Sequence, residues 1–102
     1  MSLIIKEVMK SENDLRITGV VSSEVTPNRT NRYVKFRLVH HYAHGTEPLY
    51  LDCIQNLGKQ SDQVVPKQGD QIRVRAYLQM RRGMIKAVVK SLSVIDDKLY
   101  GT

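Results

Sequence analysis

Residues 69–92 read GDQIRVRAYLQMRRGMIKAVVKSL, and their first half alternates without a break. Ile72, Val74, Ala76, Leu78 and Met80 fall on one side, Gln71, Arg73, Arg75, Tyr77 and Gln79 on the other. A period of two is the mark of a strand with one face buried. Arg81-Arg82-Gly83 places a glycine where a two- or three-residue hairpin needs a positive φ. The chain then returns through MIKAVVKSLSVI, with Ile85 and Ala87 expected inside. The adjacent Val88 and Val89 predict a bulge or a change of register there.

Three more strands precede this hairpin. LRITGVVS (15–22) sets Leu15, Ile17, Gly19 and Val21 on one face. RYVKFRLVH (32–40) points Val34, Phe36 and Leu38 inward and Tyr33, Lys35 and Arg37 outward. LYLDCIQ (49–55) is shorter, with Leu49, Leu51 and Cys53 together. SEND (11–14), TPNRTN (26–31) and HGTEP (44–48) carry turn formers between them. The opening LIIKEVM (3–9) reads as a short strand in preference to a helical turn. A longer connector, NLGKQSDQVVPKQGD (56–70), has room for one short helix or a loop across an open end of the sheet. Five strands with a helix-length insertion only between the third and fourth match the OB-fold, an all-β five-stranded barrel, better than an SH3-like barrel or a short sandwich. With 102 residues, one domain spanning 1–102 with its core at about 13–95 is expected.

The charge is segregated. Of 16 basic residues, Arg29, Arg32, Lys35 and Arg37 lie in residues 25–46 and Arg73, Arg75, Arg81, Arg82, Lys86 and Lys90 in residues 71–95. Neither window contains an acid, so all 10 acidic residues share the remainder with six bases. Single-stranded nucleic acid offers a phosphate chain and unstacked base faces, so its binder needs cations along a groove and flat side chains at intervals. Tyr33, Lys35 and Arg37 supply that pattern on one strand, and Arg73, Arg75 and Tyr77, then Arg81, Arg82 and Lys86, on the hairpin. Arg29 and Arg32 lie in the first connecting loop, and His41, Tyr42 and Tyr50 flank the turn between the second and third strands. These residues are expected to meet on one side of the barrel and hold a phosphate backbone. Outward cations also block unwanted pairing at sheet edges, and tyrosines on strands also pack across strands or between subunits.

These features resemble the bacterial single-stranded DNA-binding protein superfamily, and within it the compact, tail-less branch of primosomal replication protein N (PriB). ITGVVSSEVT, YVKFRLVH and GKQSDQVVPKQGDQIRVRAYL, with its Lys67-Gln68-Gly69 turn, carry the resemblance over most of residues 13–95. It implies sequence-tolerant binding of single-stranded DNA, a homodimer, a role in replication or replication restart, and contacts with other replication proteins. The chain departs from typical members in having no tryptophan, and it ends at VIDDKLYGT without an acidic recruiting tip. RNA is a second possible ligand, because stacking on a base does not read the 2′-hydroxyl. An adaptor whose basic face meets an acidic protein, with polyanion binding secondary, is the alternative.

Other chemistries find little support. His40, His41 and His44 sit close together, but neighbours on a strand point to opposite faces and no second cysteine or carboxylate completes a metal set. No Gly-rich phosphate cradle is present, and neither catalysis nor a cofactor is expected. The lone Cys53 reads as a small buried hydrophobe, and with no disulfide possible a reducing, cytoplasmic setting fits. MSLIIKEVMK lacks a basic leader and no run of 18 apolar residues occurs, so neither a signal peptide nor a membrane span is expected.

Overall fold

The structure, a computed structural model, describes residues 13–42, 47–58 and 63–95. The strand expected at 3–9, His44, and the middle of the connector lie outside the described residues. Six strands are present: β1 (Leu15–Val21), β2 (Thr26–Pro27), β3 (Tyr33–His40), β4 (Leu49–Asn56), β5 (Gln71–Arg81) and β6 (Met84–Val94). Five are those expected; β2 is a two-residue addition that pairs Thr26 with Lys35 and Pro27 with Val34.

The five long strands close into a ring. β1 runs antiparallel to β5 from Leu15↔Ala76 to Val20↔Gln71, and β5 antiparallel to β6. β6 meets β4 in the one parallel pairing among the described residues, Cys53↔Ala87 and Ile54↔Val88. β4 pairs antiparallel with β3, and Val20↔Val39 and Val21↔Leu38 return β3 to β1. A closed mixed barrel with this connectivity is the OB-fold. The described residues of the connector contain no helix. Gln55 Nε2 donates to the Val64 carbonyl at 2.6 Å and holds the loop to the barrel. Beyond buried Pro66, the Lys67–Asp70 turn has φ +94° at Gly69, the left-handed value that a type II turn requires at its third position. Gly69 N–H donates to Val21 O and Val21 N–H to Asp70 O, at 2.8 and 2.9 Å, which seats the turn on the end of β1.

The inward rows build the core. Val21, Val34, Phe36, Leu38, Cys53, Ile72, Val74, Ala76 and Ala87 form one buried cluster, with Ile17, Val25, Leu51, Leu57, Val89 and Leu92 packed against it. Each large side chain removed from water contributes about 1.5–3 kcal/mol before entropy is counted. Gly19 is required where β1 passes from β5 to β3. A Cβ there would stand 2.4 Å from the Val39 carbonyl oxygen and 3.0 Å from Leu38 Cγ.

Two expectations are corrected. The irregularity in β6 falls opposite Arg75/Ala76, where Ser91 pairs with Arg75 and Val89 with Ala76, leaving Lys90 as the extra residue. That bulge switches the inward parity of β6 from Ala87 and Val89 to Leu92. Leu78, Met80 and Ile85 share the inward face, yet all three are exposed. They lie beyond the end of the barrel, where nothing among the described residues covers them.

Candidate nucleic-acid interface

The outward rows of β3, β4 and β6 make a continuous lattice. Register aligns Arg37 with Asp52, Lys35 with Ile54, and Val39 with Tyr50 across β3 and β4. The parallel pairing then sets Val88 beside Ile54, so Lys86 continues the Arg37–Asp52 row. Arg37 Nε lies 3.0 Å from Asp52 Oδ1 and Lys86 Nζ 3.3 Å from Asp52 Oδ2. Burial alone would raise the Asp52 carboxyl pKa; the hydrogen bonds from Arg37 and Lys86 outweigh it and hold the pKa below its ordinary value. The row therefore carries net charge +1, with its two cations fixed by one anion.

This row crosses a cleft of about 670 Å³ lined by Ser23, Glu24 and Thr26 from the β1–β3 connection, Lys35 and Arg37 on β3, Asp52 and Ile54 on β4, and Met84 and Lys86 on β6. Ile54 points outward but is only 3% exposed, an apolar floor beneath charged walls. Backbone contacts set the near rim. Arg37 N–H donates to Ser23 Oγ at 2.8 Å and Ser22 N–H donates to Arg37 O at 2.8 Å. Asn28 folds the next turn: its Oδ1 accepts from the Arg32 and Tyr33 amides at 2.7 and 3.0 Å, with Asn31 at φ +55°. Arg29 and Arg32 stand exposed on that turn, with no ion pair among the described residues.

The hairpin tip forms the far rim. Arg82 (φ +52°) and Gly83 (φ +77°) are both left-handed, as a type I′ turn demands. Arg81 Nε donates to Gln79 Oε1 at 2.8 Å, and no described carboxylate pairs with either arginine. The Lys35 ammonium stands 5.9 Å from the Tyr33 ring centre. Tyr50, 59% exposed, lies flat-strand neighbour to Val39, and exposed Tyr42 meets His40 edge-on at 4.9 Å. His41 is exposed beside them, whereas His40 Nδ1–H donates to the Thr18 carbonyl at 2.6 Å and is spent on structure.

Arg73, Arg75 and Tyr77 do not join this face. In the ring order β1-β5-β6-β4-β3, β5 stands across the barrel from the β3–β4 seam. Its outward residues at the barrel therefore point away from the cleft. There Arg75 Nε pairs with Asp14 at 3.0 Å, and Arg16 and Lys90 approach the same carboxylate at 3.7 Å. The Arg75 hydrogen bond leads the causes that hold the Asp14 carboxyl pKa below its usual value. Tyr77 sits under Lys90, whose ammonium is 5.7 Å from its ring centre. One strand can thus hold cations that serve opposite walls: alternation assigns a side chain to the outside, and ring closure decides which outside.

Asp52, Ile54 and Met84 were not anticipated as site residues. Asp52 follows the outward parity of LYLDCIQ, which was a usable signal; its two partners appear only once β4 is placed between β3 and β6. No cluster of three or more metal-ligating side chains occurs among the described residues. Burial, aided by the Asp52 charge, pushes the Cys53 thiol up to about 12, in keeping with its place in the core.

No protein-family model and no curated protein matches the sequence. Solved structures do match. The N-terminal domain of PriB from Thermoanaerobacter tencongensis, a dimeric structure, superposes with a TM-score of 0.66 at 13% identity, over 82% of this chain and 97% of that one. The mitochondrial single-stranded DNA binding protein Rim1 from S. cerevisiae gives 0.65 at 16% identity, over 82% and 94%. The second single-stranded DNA binding protein of Mycobacterium smegmatis gives 0.67 at 16% identity, over 81% and 88%. The barrel is the OB-fold, the fold its strand pattern predicted and the one these solved structures share.

Proposed function

We propose that this protein binds single-stranded DNA, largely independently of sequence, in the cleft between the β3–β4 face and the β5–β6 hairpin. The observation that carries the reading is the cleft itself: an apolar floor at Ile54 beside Lys35, a row in which Arg37 and Lys86 share Asp52 and keep a net positive charge, and arginines at both rims that pair with no described carboxylate. Phosphates suit the cations, and base faces suit the floor, the exposed rings of Tyr42 and Tyr50, and the half-buried ring of Tyr33. A role as an accessory of replication or replication restart, and a homodimer that gives one strand two barrels to cross, go with this reading. Arg73, Arg75 and Tyr77 are left outside the cleft.

Fluorescence anisotropy with labelled oligo-dT, oligo-U and duplex, repeated across salt, tests it. If Lys35, Arg37, Arg81, Arg82 and Lys86 each meet one phosphate, the slope of log K against log salt is about −3.5, and affinity falls ~100-fold between about 50 and 200 mM salt. Arg81→Ala with Arg82→Ala then reduces the slope by about 1.4. Weak affinity for all three ligands with no salt slope rejects the reading, and equal affinity for dT and U extends it to RNA.

A further inference from the structure

Beyond Leu78↔Ala87 and as far as Arg81↔Met84 the β5–β6 hairpin leaves the barrel, since among the described residues β1 pairs with β5 as far as Ala76 and β4 meets β6 at Ala87 and Val88. Asn13 clasps its root: Leu78 N–H donates to Asn13 Oδ1 and Asn13 Nδ2 donates to Leu78 O, both at 2.7 Å, so one side-chain amide imitates a further rung of β1. Beyond that clasp the arm has two unlike faces. Leu78, Met80 and Ile85 line one; Gln79, Arg81, Met84 and Lys86 line the other. Met80 is 64% and Ile85 57% exposed, a large apolar fraction for a ribbon with no third strand beside it among the described residues.

The charge around this strip selects its partner. No acidic residue occurs between 71 and 95, and Arg81 and Arg82 stand at the tip. A second copy of the arm would bring four arginines together, whereas the end of a duplex presents an apolar base-pair plane flanked by phosphates. Met84 and Lys86, on the polar face of the arm, already line the cleft, so a strand leaving it reaches the base of the arm and a duplex beyond it meets the tip. We infer that the arm is a wedge for the junction between single- and double-stranded nucleic acid. Met80 and Ile85 stack on the terminal base pair while Arg81 and Arg82 hold the flanking phosphates, the chemistry by which apolar side chains unstack base steps elsewhere. The inference rests on the single-strand reading above.

Anisotropy on three ligands tests it: a single strand of about 16 nucleotides, a blunt duplex, and that duplex carrying the strand as a tail. 2-Aminopurine at the terminal pair reports unstacking. The wild-type protein is expected to prefer the tailed duplex to the bare strand by about tenfold and to raise the 2-aminopurine signal. Met80→Ser with Ile85→Thr abolishes both effects while single-strand affinity stays within about twofold, because exposed substitutions cost little stability. Equal affinity for tailed duplex and bare strand, or a preference that survives in the double variant, overturns the wedge and leaves the single-strand reading standing. Sedimentation in which the double variant loses self-association also overturns it, by assigning the strip to a second copy. Failure to bind any of the three overturns both readings.

Discussion

Asp52 is the one carboxylate in the cationic row, and Asp52→Asn isolates its contribution. A phosphate held by Arg37 and Lys86 would stand about 6 Å from the Asp52 carboxylate, given the 3.0 and 3.3 Å pairs already in place and a charge-assisted bond of about 2.8 Å. At that distance like charges repel by about 0.7 kcal/mol in bulk water and about 2.8 kcal/mol at an effective dielectric of 20. With its side chain 28% exposed, Asp52 belongs between these limits and nearer the lower, at about 1 kcal/mol. Asparagine removes the charge and keeps an acceptor, so single-strand affinity should rise about fivefold. Stability changes less. Arg37 is more than half exposed, and screened pairs contribute at most about 1 kcal/mol, a few degrees in melting temperature for a chain of this size. Anisotropy at low and moderate salt, beside a thermal melt, measures each quantity. Unchanged or weaker binding by a folded Asp52→Asn protein would refute the idea that this row receives phosphate.

Three other outcomes are expected. Asp14 and Asp52 both have folded pKa values below the ordinary 3.8, so their stabilisation is complete above that value and is lost as pH falls through the lowered ones; urea melts should show wild type and Asp52→Asn converging in strong acid. Gly19→Ala should cost about 1–3 kcal/mol or more in urea unfolding, since the obstacle is a backbone carbonyl and cannot rotate away. Tyr50→Ala should weaken single-strand binding by about 1–3 kcal/mol if a base stacks on it, while Tyr77→Ala, on the opposite wall, should leave affinity unchanged; equal losses would invalidate the division of the barrel into two faces.

Strand identity was legible because one face of each run is buried and the other is wet, so LRITGVV, YVKFRLVH and QIRVRA carry the period of two in plain form. The hairpin tip was legible for a different reason: Gly83 follows two arginines where a tight turn must turn left-handed. Parity failed at Leu78, Met80 and Ile85 because it names a side of the ribbon and not the length of the barrel that covers it. It failed for the site in a related way. Arg37 and Arg75 are both outward on long strands, but the order in which strands close sends them to opposite walls, and that order depends on pairings between residues far apart in the chain. The bulge was displaced from Val88-Val89 to Lys90 because Val88 is buried on the outer side and Val89 partly buried on the inner, and the basic residue is the one left over.

The depth of Cys53 bears on how the arm can be watched. Burial keeps this thiol protonated at neutral pH, and the thiolate is the species that reacts with maleimides and spin labels. The native cysteine is therefore silent in its folded setting, and a single cysteine engineered at Arg82 would take a fluorophore there without first removing Cys53 from the core. Distances from that dye to one on a strand end would follow the tip directly as substrate arrives.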